Sequence, residues 1–108
     1  MSFHIPLPTI TVAERRYGLV HVAHGARACG KSAIQVHNAK VFKSINKLWN
    51  VVYVVDPASM VSMFKVEFND TGVVVLSCRK TEDYIQGRRD VALFFDDPET
   101  YYKFKDSL

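Results

Sequence analysis

The chain has 108 residues, a length that fits one domain spanning 1–108. Apolar residues make up 48% and charged residues 23%, which is typical of a globular protein and excludes a disordered chain. The longest apolar runs have five residues, so we expect no membrane span and no membrane partner. The N-terminus lacks the pattern of a signal peptide, and two cysteines build no disulfide framework. These features predict a cytoplasmic or otherwise intracellular, reducing location.

The net charge of +3 conceals an uneven distribution along the chain. Residues 51–108 contain more acids than bases, whereas residues 1–50 contain a single acid, Glu14. A segment with this excess of cations attracts anions. The sequence therefore predicts an anion-binding surface built from Arg15, Arg16, Arg27, Lys31, Lys40, Lys43 and Lys47. The alternative is that these cations are dispersed among acids of the second half.

The first element signals are two β-type runs. Thr9 to Ala13 and Tyr17 to Ala23 flank the polar turn Glu14-Arg15-Arg16, which is typical of a hairpin. Small residues and glycines from His24 to Gly30 then indicate a loop.

A helix over about 32–49 is the favoured prediction for the next segment. Apolar residues recur there at helical spacing and the lysines gather on another face; the apolar positions are Ile34, Val41, Ile45 and Leu48. The alternative is a β-hairpin that turns at Asn38-Ala39, because β-branched residues and asparagines weaken a helix.

The second half predicts several strands. Val51 to Val55 and Val91 to Phe95 are continuous apolar runs that indicate buried strands. Phe64, Val66 and Phe68 alternate with charged residues, and Asn69 to Gly72 provides a turn, so this segment predicts a strand paired in a hairpin with Val73–Ser77.

Two helical segments complete the prediction. Thr81 to Gln86 indicates one or two helical turns, and Asp97-Pro98 begins a C-terminal helix over about 98–107. Two basic pairs, Arg79-Lys80 and Arg88-Arg89, bracket the first of them, and each pair either contacts phosphates or forms a solvated turn. The fold class predicted is α+β: one small domain with a mainly antiparallel sheet, one longer helix and a C-terminal helix.

One motif suggests a ligand. The residues from Gly25 to Ser32 read GARACGKS and match the Walker A pattern, with Gly25, Gly30, Lys31 and Ser32 at its defined positions. This segment resembles phosphate-loop nucleotide-binding proteins. The resemblance implies ATP or GTP with Mg²⁺ as a cofactor, phosphate held by Gly25–Ser32, and Mg²⁺ held by Ser32 and Asp56.

The sequence supports three hypotheses about function. The first is a small non-enzymatic binding or regulatory module that docks on nucleic acid or an acidic protein surface through its basic half and needs no cofactor. The second is a miniature phosphate-loop protein. The third is a protein inhibitor or subunit that pairs with a partner, or with itself, through an edge strand, Thr9–Ala13 or Val73–Ser77. We predict no catalytic residues and no metal site.

Overall fold

The computed structural model describes residues 9–25 and 31–106. Its strands are β1 Thr9–Arg15, β2 Gly18–His24, β3 Asn50–Val55, β4 Val74–Ser77 and β5 Val91–Phe95. Its helices are α1 Lys31–Ile45, α2 Val61–Glu67, α3 Cys78–Ile85 and α4 Pro98–Asp106, and a short 3-10 helix, Ala58–Met60, precedes α2.

The strands form one sheet in the order β1-β2-β5-β3-β4. β1 pairs with β2 antiparallel, and β2, β5, β3 and β4 run parallel to one another. The last strand of the chain therefore lies in the middle of the sheet. We call the side where the parallel strands begin the amino end of the sheet, and the side where they finish the carboxyl end.

Alternating side chains divide the core into two layers. On β3, Val51, Tyr53 and Val55 face one layer, whereas Val52 and Val54 face the other. The first layer is completed by residues of α1 and α2, and the second by residues of α3 and α4. Every residue of β5 is buried, as a strand covered on both faces requires.

A buried glutamine connects α1 to the sheet. Gln35 is fully buried, and its Nε2 donates hydrogen bonds to the carbonyl oxygens of His21 at 3.1 Å and Phe95 at 2.9 Å. A buried amide is stable only when its donors find acceptors. Gln35 thus fixes α1 across the junction between β2 and β5.

The structure confirms the α+β class, the N-terminal hairpin, the strands at 50–55, 74–77 and 91–95, and the C-terminal helix. Asp97 begins α4 as predicted, because its Oδ1 accepts a hydrogen bond from the Thr100 amide at 2.8 Å. The two predicted edge strands do lie at the edges of the sheet, as β1 and β4.

The predicted strand at Phe64–Phe68 is wrong, because this segment lies in and directly after α2. Phe64 and Phe68 are four residues apart, so they share one face of a helix and both are buried. Val66, which completed the apparent alternation, is 77% exposed. The hairpin with Val73–Ser77 therefore does not form, and the prediction of a mainly antiparallel sheet is wrong: three of the four strand pairings are parallel.

The helix predicted at 32–49 forms, but it ends at Ile45 and turns a different face inward. Leu48, part of the predicted apolar stripe, is 96% exposed, and Ile45 is 73% exposed. The buried side instead contains Gln35, Val36 and Ala39. The small residue Ala39 allows the helix to approach the sheet closely.

Gly18 begins β2 at a position that has no room for a side chain. A Cβ there would overlap the Val91 carbonyl oxygen, and the φ angle is +147°. We expect Gly18→Ala to lower the free energy of unfolding by more than about 3 kcal/mol, because steric overlap with backbone adds to the strain of a positive φ. Urea denaturation followed by circular dichroism measures the change.

Gly87→Ala is the matched control for this prediction. Gly87 also has a positive φ, +72°, but a Cβ there meets nothing within 4 Å. The loss of unfolding free energy in Gly87→Ala should be limited to the backbone strain, about 1 kcal/mol. Equal losses in the two variants would contradict the assigned steric conflict between β2 and β5.

Candidate anion-binding surface

Three segments meet at the amino end of the sheet: the β1–β2 turn, the loop that precedes β5, and the start of β3. The Val91 amide donates to the Tyr17 carbonyl at 2.9 Å, which joins the first two segments. The Asn50 amide donates to the Asp90 carbonyl at 2.9 Å, which joins the third. These backbone bonds bring Arg15-Arg16 beside Arg88-Arg89, although more than seventy positions separate the pairs in the sequence.

A cleft of about 440 Å³ lies between Arg16 and the Arg88-Arg89 pair. We call it the arginine lobe; it is lined by Arg16, Tyr17, Ile85, Gln86, Gly87, Arg88 and Arg89. No carboxylate lines it. A concave site that collects charge of one sign raises the local concentration of ions of the opposite sign. The arginine lobe therefore favours anions.

A second cleft of about 440 Å³ shares Arg16, Tyr17 and Arg89 with the first. We call it the tryptophan lobe; its other lining residues are Glu14, Arg15, Gly18, Leu19, Trp49 and Asp90. Four arginines thus face two carboxylates over the combined surface, so the cations remain in excess.

Two of the four arginines are held in place by neutral groups. The Arg15 guanidinium donates to the Tyr101 hydroxyl and to the Glu14 carbonyl, both at 2.9 Å. The Arg88 guanidinium lies over the Tyr84 ring, 4.2 Å from its centroid, a stacking that Arg favours. Within residues 9–25 and 31–106, neither these two nor Arg16 and Arg89 form an ion pair. Their charge is therefore available to a ligand.

The predicted lysines do not join this surface as a set. Lys43 Nζ donates to the carbonyl oxygens of Lys47 at 3.0 Å and Trp49 at 2.8 Å, so it stabilises the end of α1. Lys40 extends towards α2 and lies 5.8 Å from the centroid of the Phe68 ring. Of the residues predicted for the site, Arg15 and Arg16 line this surface, whereas Lys43 makes a structural contact. Arg27 and the side chain of Lys31 lie outside the described residues.

The sequence indicates Arg88-Arg89, like Arg79-Lys80, as a candidate phosphate contact, but neither pair belongs to the predicted site. The position of Arg88-Arg89 next to the β1–β2 turn results from the parallel pairing of β2 with β5. Only two local signals pointed to it: the doubled charge and the preceding Gly87, which takes a positive φ and ends the α3 segment. Neither signal indicates which distant residues it meets.

The carboxyl end of the sheet contains the predicted magnesium ligands, but it does not bring them together. Ser32 Oγ donates to Asp96 Oδ2 at 3.4 Å, whereas Asp56 forms an ion pair with Lys103 at 2.6 Å. The reason is the strand order, because β5 lies between β2, which precedes the motif, and β3, which precedes Asp56. The carboxylate beside Ser32 is therefore that of Asp96. Gly30 lies outside the described residues.

The remaining polar groups at this end have structural roles. Asp97 caps α4, and Cys78 donates from its thiol to the Thr100 carbonyl at 3.7 Å. Within the described part of the chain, no three His, Cys, Asp or Glu side chains are close enough to hold a metal ion together. No helix in that part is long and apolar enough to cross a bilayer.

Comparison with known proteins adds no family: no protein-family model, curated protein or solved structure matches this chain. The candidate site is therefore assigned from its own geometry.

The Cys78 thiol provides a test of the environment at the carboxyl end. Burial, followed by the nearby Asp56 carboxylate, raises the pKa of Cys78 to about 11, from an ordinary value of 9.0. Since the thiolate is the reactive form, we expect alkylation at pH 8 to be about a hundredfold slower than for a free thiol. The rate should continue to rise up to about pH 11.

Iodoacetamide labelling of a Cys29→Ser variant isolates this reaction, because the chain has only two cysteines. Loss of the carboxylate in Asp56→Asn should increase the rate at a given pH. A rate that reaches its plateau below pH 9 would show that the thiol is not in the environment described.

Proposed function

We propose that this protein is a non-enzymatic module that docks on nucleic acid through the arginines at the amino end of its sheet. The observation that carries the proposal is the arginine lobe, where Arg16, Arg88 and Arg89 line one cleft without a carboxylate. The site differs from the predicted one in its members. It keeps Arg15 and Arg16, adds Arg88 and Arg89, and does not rely on the lysines of α1.

The types of residue favour nucleic acid over an acidic protein surface. Guanidinium groups pair with phosphate through two parallel hydrogen bonds and stack on flat rings, so they suit a phosphate backbone that carries bases. Three half-buried aromatic residues, Tyr17, Trp49 and Tyr84, lie among or beside the arginines. Aromatic rings next to cations are the usual means by which proteins bind single strands.

The expected binding is salt-sensitive and depends on the arginines. A short single-stranded oligonucleotide should bind more weakly as salt is raised from about 50 to 200 mM. Arg16→Gln and Arg89→Gln should each weaken binding about fivefold at the lower salt, and each should reduce the salt slope by about one. Fluorescence anisotropy measures both quantities.

Arg79→Gln is the matched control, since Arg79 is exposed and lies in the first turn of α3, at the opposite end of the sheet. This substitution removes the same charge but should leave the affinity and the salt slope nearly unchanged. If Arg79→Gln weakened binding as much as the other two substitutions, binding would depend only on the net charge of the protein, and the proposed site would be contradicted. Tighter binding to polyglutamate than to the oligonucleotide would indicate that the partner is an acidic protein surface rather than nucleic acid.

A second candidate function rests on the Walker A match. β2 ends at His24 and α1 begins at Lys31, so the motif lies between a strand and a helix, as phosphate loops require. Here the loop would bind the phosphates of ATP or GTP with Mg²⁺, and Asp96 would replace Asp56 as the carboxylate beside Ser32.

This candidate predicts that nucleotide with Mg²⁺ stabilises the protein by about 2.7 kcal/mol at a hundred times the dissociation constant. Differential scanning fluorimetry should show the higher melting temperature, and Lys31→Ala should abolish the shift. Arg16→Gln should retain it, because Arg16 lies at the other end of the sheet. No shift at millimolar nucleotide would exclude the candidate.

A further inference from the structure

The two lobes at the amino end of the sheet differ in charge. The arginine lobe has three guanidinium groups and no carboxylate among its lining residues. The tryptophan lobe contains the indole of Trp49 and also has three arginines, but the carboxylates of Glu14 and Asp90 lie beside them. Arg16, Tyr17 and Arg89 line both lobes, so a single ligand can extend from one into the other.

The charge in the arginine lobe exceeds what a single internal phosphate of a strand requires. An internal phosphodiester has one negative charge, which one arginine neutralises. A terminal phosphomonoester has a charge of about −1.5 to −2 at pH 7 and three acceptor oxygens. Three guanidinium groups around one cleft match that charge and that number of acceptors.

Neutral groups in the arginine lobe are also suited to a phosphate. Gly87 leaves open space, since a Cβ at this position would meet nothing within 4 Å. Burial, followed by the neighbouring Tyr101, raises the pKa of Tyr17 to about 12. A tyrosine hydroxyl is protonated at neutral pH even without this shift, so Tyr17 is able to donate a hydrogen bond to an anion.

The tryptophan lobe is suited to the nucleoside rather than to more phosphates. Its two carboxylates offset two of its three arginines, which weakens the attraction for a second anionic group, and they accept hydrogen bonds from base amino groups or ribose hydroxyls. Trp49 is half-buried and packs edge-to-face on Phe42, with ring centroids 5.4 Å apart, so its indole is held in place beside the cleft.

We propose that the two lobes form one site for a nucleotide with a terminal phosphate, with the phosphomonoester among Arg16, Arg88 and Arg89 and the nucleoside beside Trp49. This inference rests on the proposed function and makes it more specific, because the module would bind the phosphorylated end of a strand. A free nucleoside monophosphate has the same chemistry and would occupy the same site.

The test compares two oligonucleotides of identical sequence, one with a 5′-phosphate and one with a 5′-hydroxyl, each labelled at the 3′ end. We expect the 5′-phosphate to tighten binding at least about tenfold at constant salt, because its hydrogen bonds to arginine are charge-assisted. Arg88→Gln should reduce this ratio to near one, and Arg79→Gln should leave it unchanged. Circular dichroism and the melting temperature verify that each variant is folded.

A second arm identifies the source of the phosphate. A nucleoside 5′-monophosphate should displace the phosphorylated oligonucleotide, whereas the unphosphorylated nucleoside should not. If the monophosphate raises the melting temperature but neither oligonucleotide binds, the site is confirmed for free nucleotides and the nucleic-acid proposal fails.

The opposite result would contradict the terminal-phosphate site but not the docking on nucleic acid. Equal affinity for the two oligonucleotides, with both weakened by Arg16→Gln, would overturn the terminal-phosphate site and leave docking on nucleic acid intact. Tyr17→Phe provides an additional measurement, because it removes only a hydroxyl. We expect it to lower the phosphate-dependent ratio severalfold, and an unchanged ratio would remove Tyr17 from the site.

Discussion

The backbone hydrogen bond from the Val91 amide to the Tyr17 carbonyl, 2.9 Å long, is the contact on which the arrangement of this molecule depends. It marks the point where the last strand enters the sheet beside the N-terminal hairpin. Once β5 lies between β2 and β3, the loops at both of its ends are fixed. One loop brings Arg88 and Arg89 to Arg16, and the other brings Asp96 to Ser32.

Two other features maintain this insertion. Gln35 donates to carbonyl groups on β2 and β5 from a position without access to water, so separating these strands would leave buried polar groups unpaired. Gly18 allows the β5 backbone to approach more closely than any side chain would permit. Gln35, Gly18 and the backbone bond from Val91 to Tyr17 thus all stabilise the junction between β2 and β5. Both candidate sites of the molecule lie at the ends of these two strands.

Helix dipoles also contribute to the electrostatic potential around the arginines. α1 and α3 each begin at the carboxyl end of the sheet and lead towards the start of another parallel strand, so their negative dipole ends lie towards the amino end. Cations near helix C-termini are stabilising for this reason alone, and Lys43 makes such contacts directly. The dipole does not account for Arg16, which follows a β-strand and turns into the same cleft as Arg88 and Arg89. This convergence of cations from unrelated elements is what supports a ligand there.

The sequence by itself determined the local elements: the hairpin at Thr9–Ala13 and Tyr17–Ala23, the apolar strands, and the capped helix after Asp97. Local patterns were sufficient because each depends on neighbours within a few residues. They failed at Phe64 and Phe68, where a spacing of four residues fits both a strand alternation and a helix face. The tertiary structure alone decided that the sheet is mostly parallel, that Asp96 rather than Asp56 lies beside Ser32, and that Arg16 meets Arg88 and Arg89. These outcomes depend on which strands lie side by side, and strand order is fixed by packing between distant segments rather than by the residues next to each cation or carboxylate.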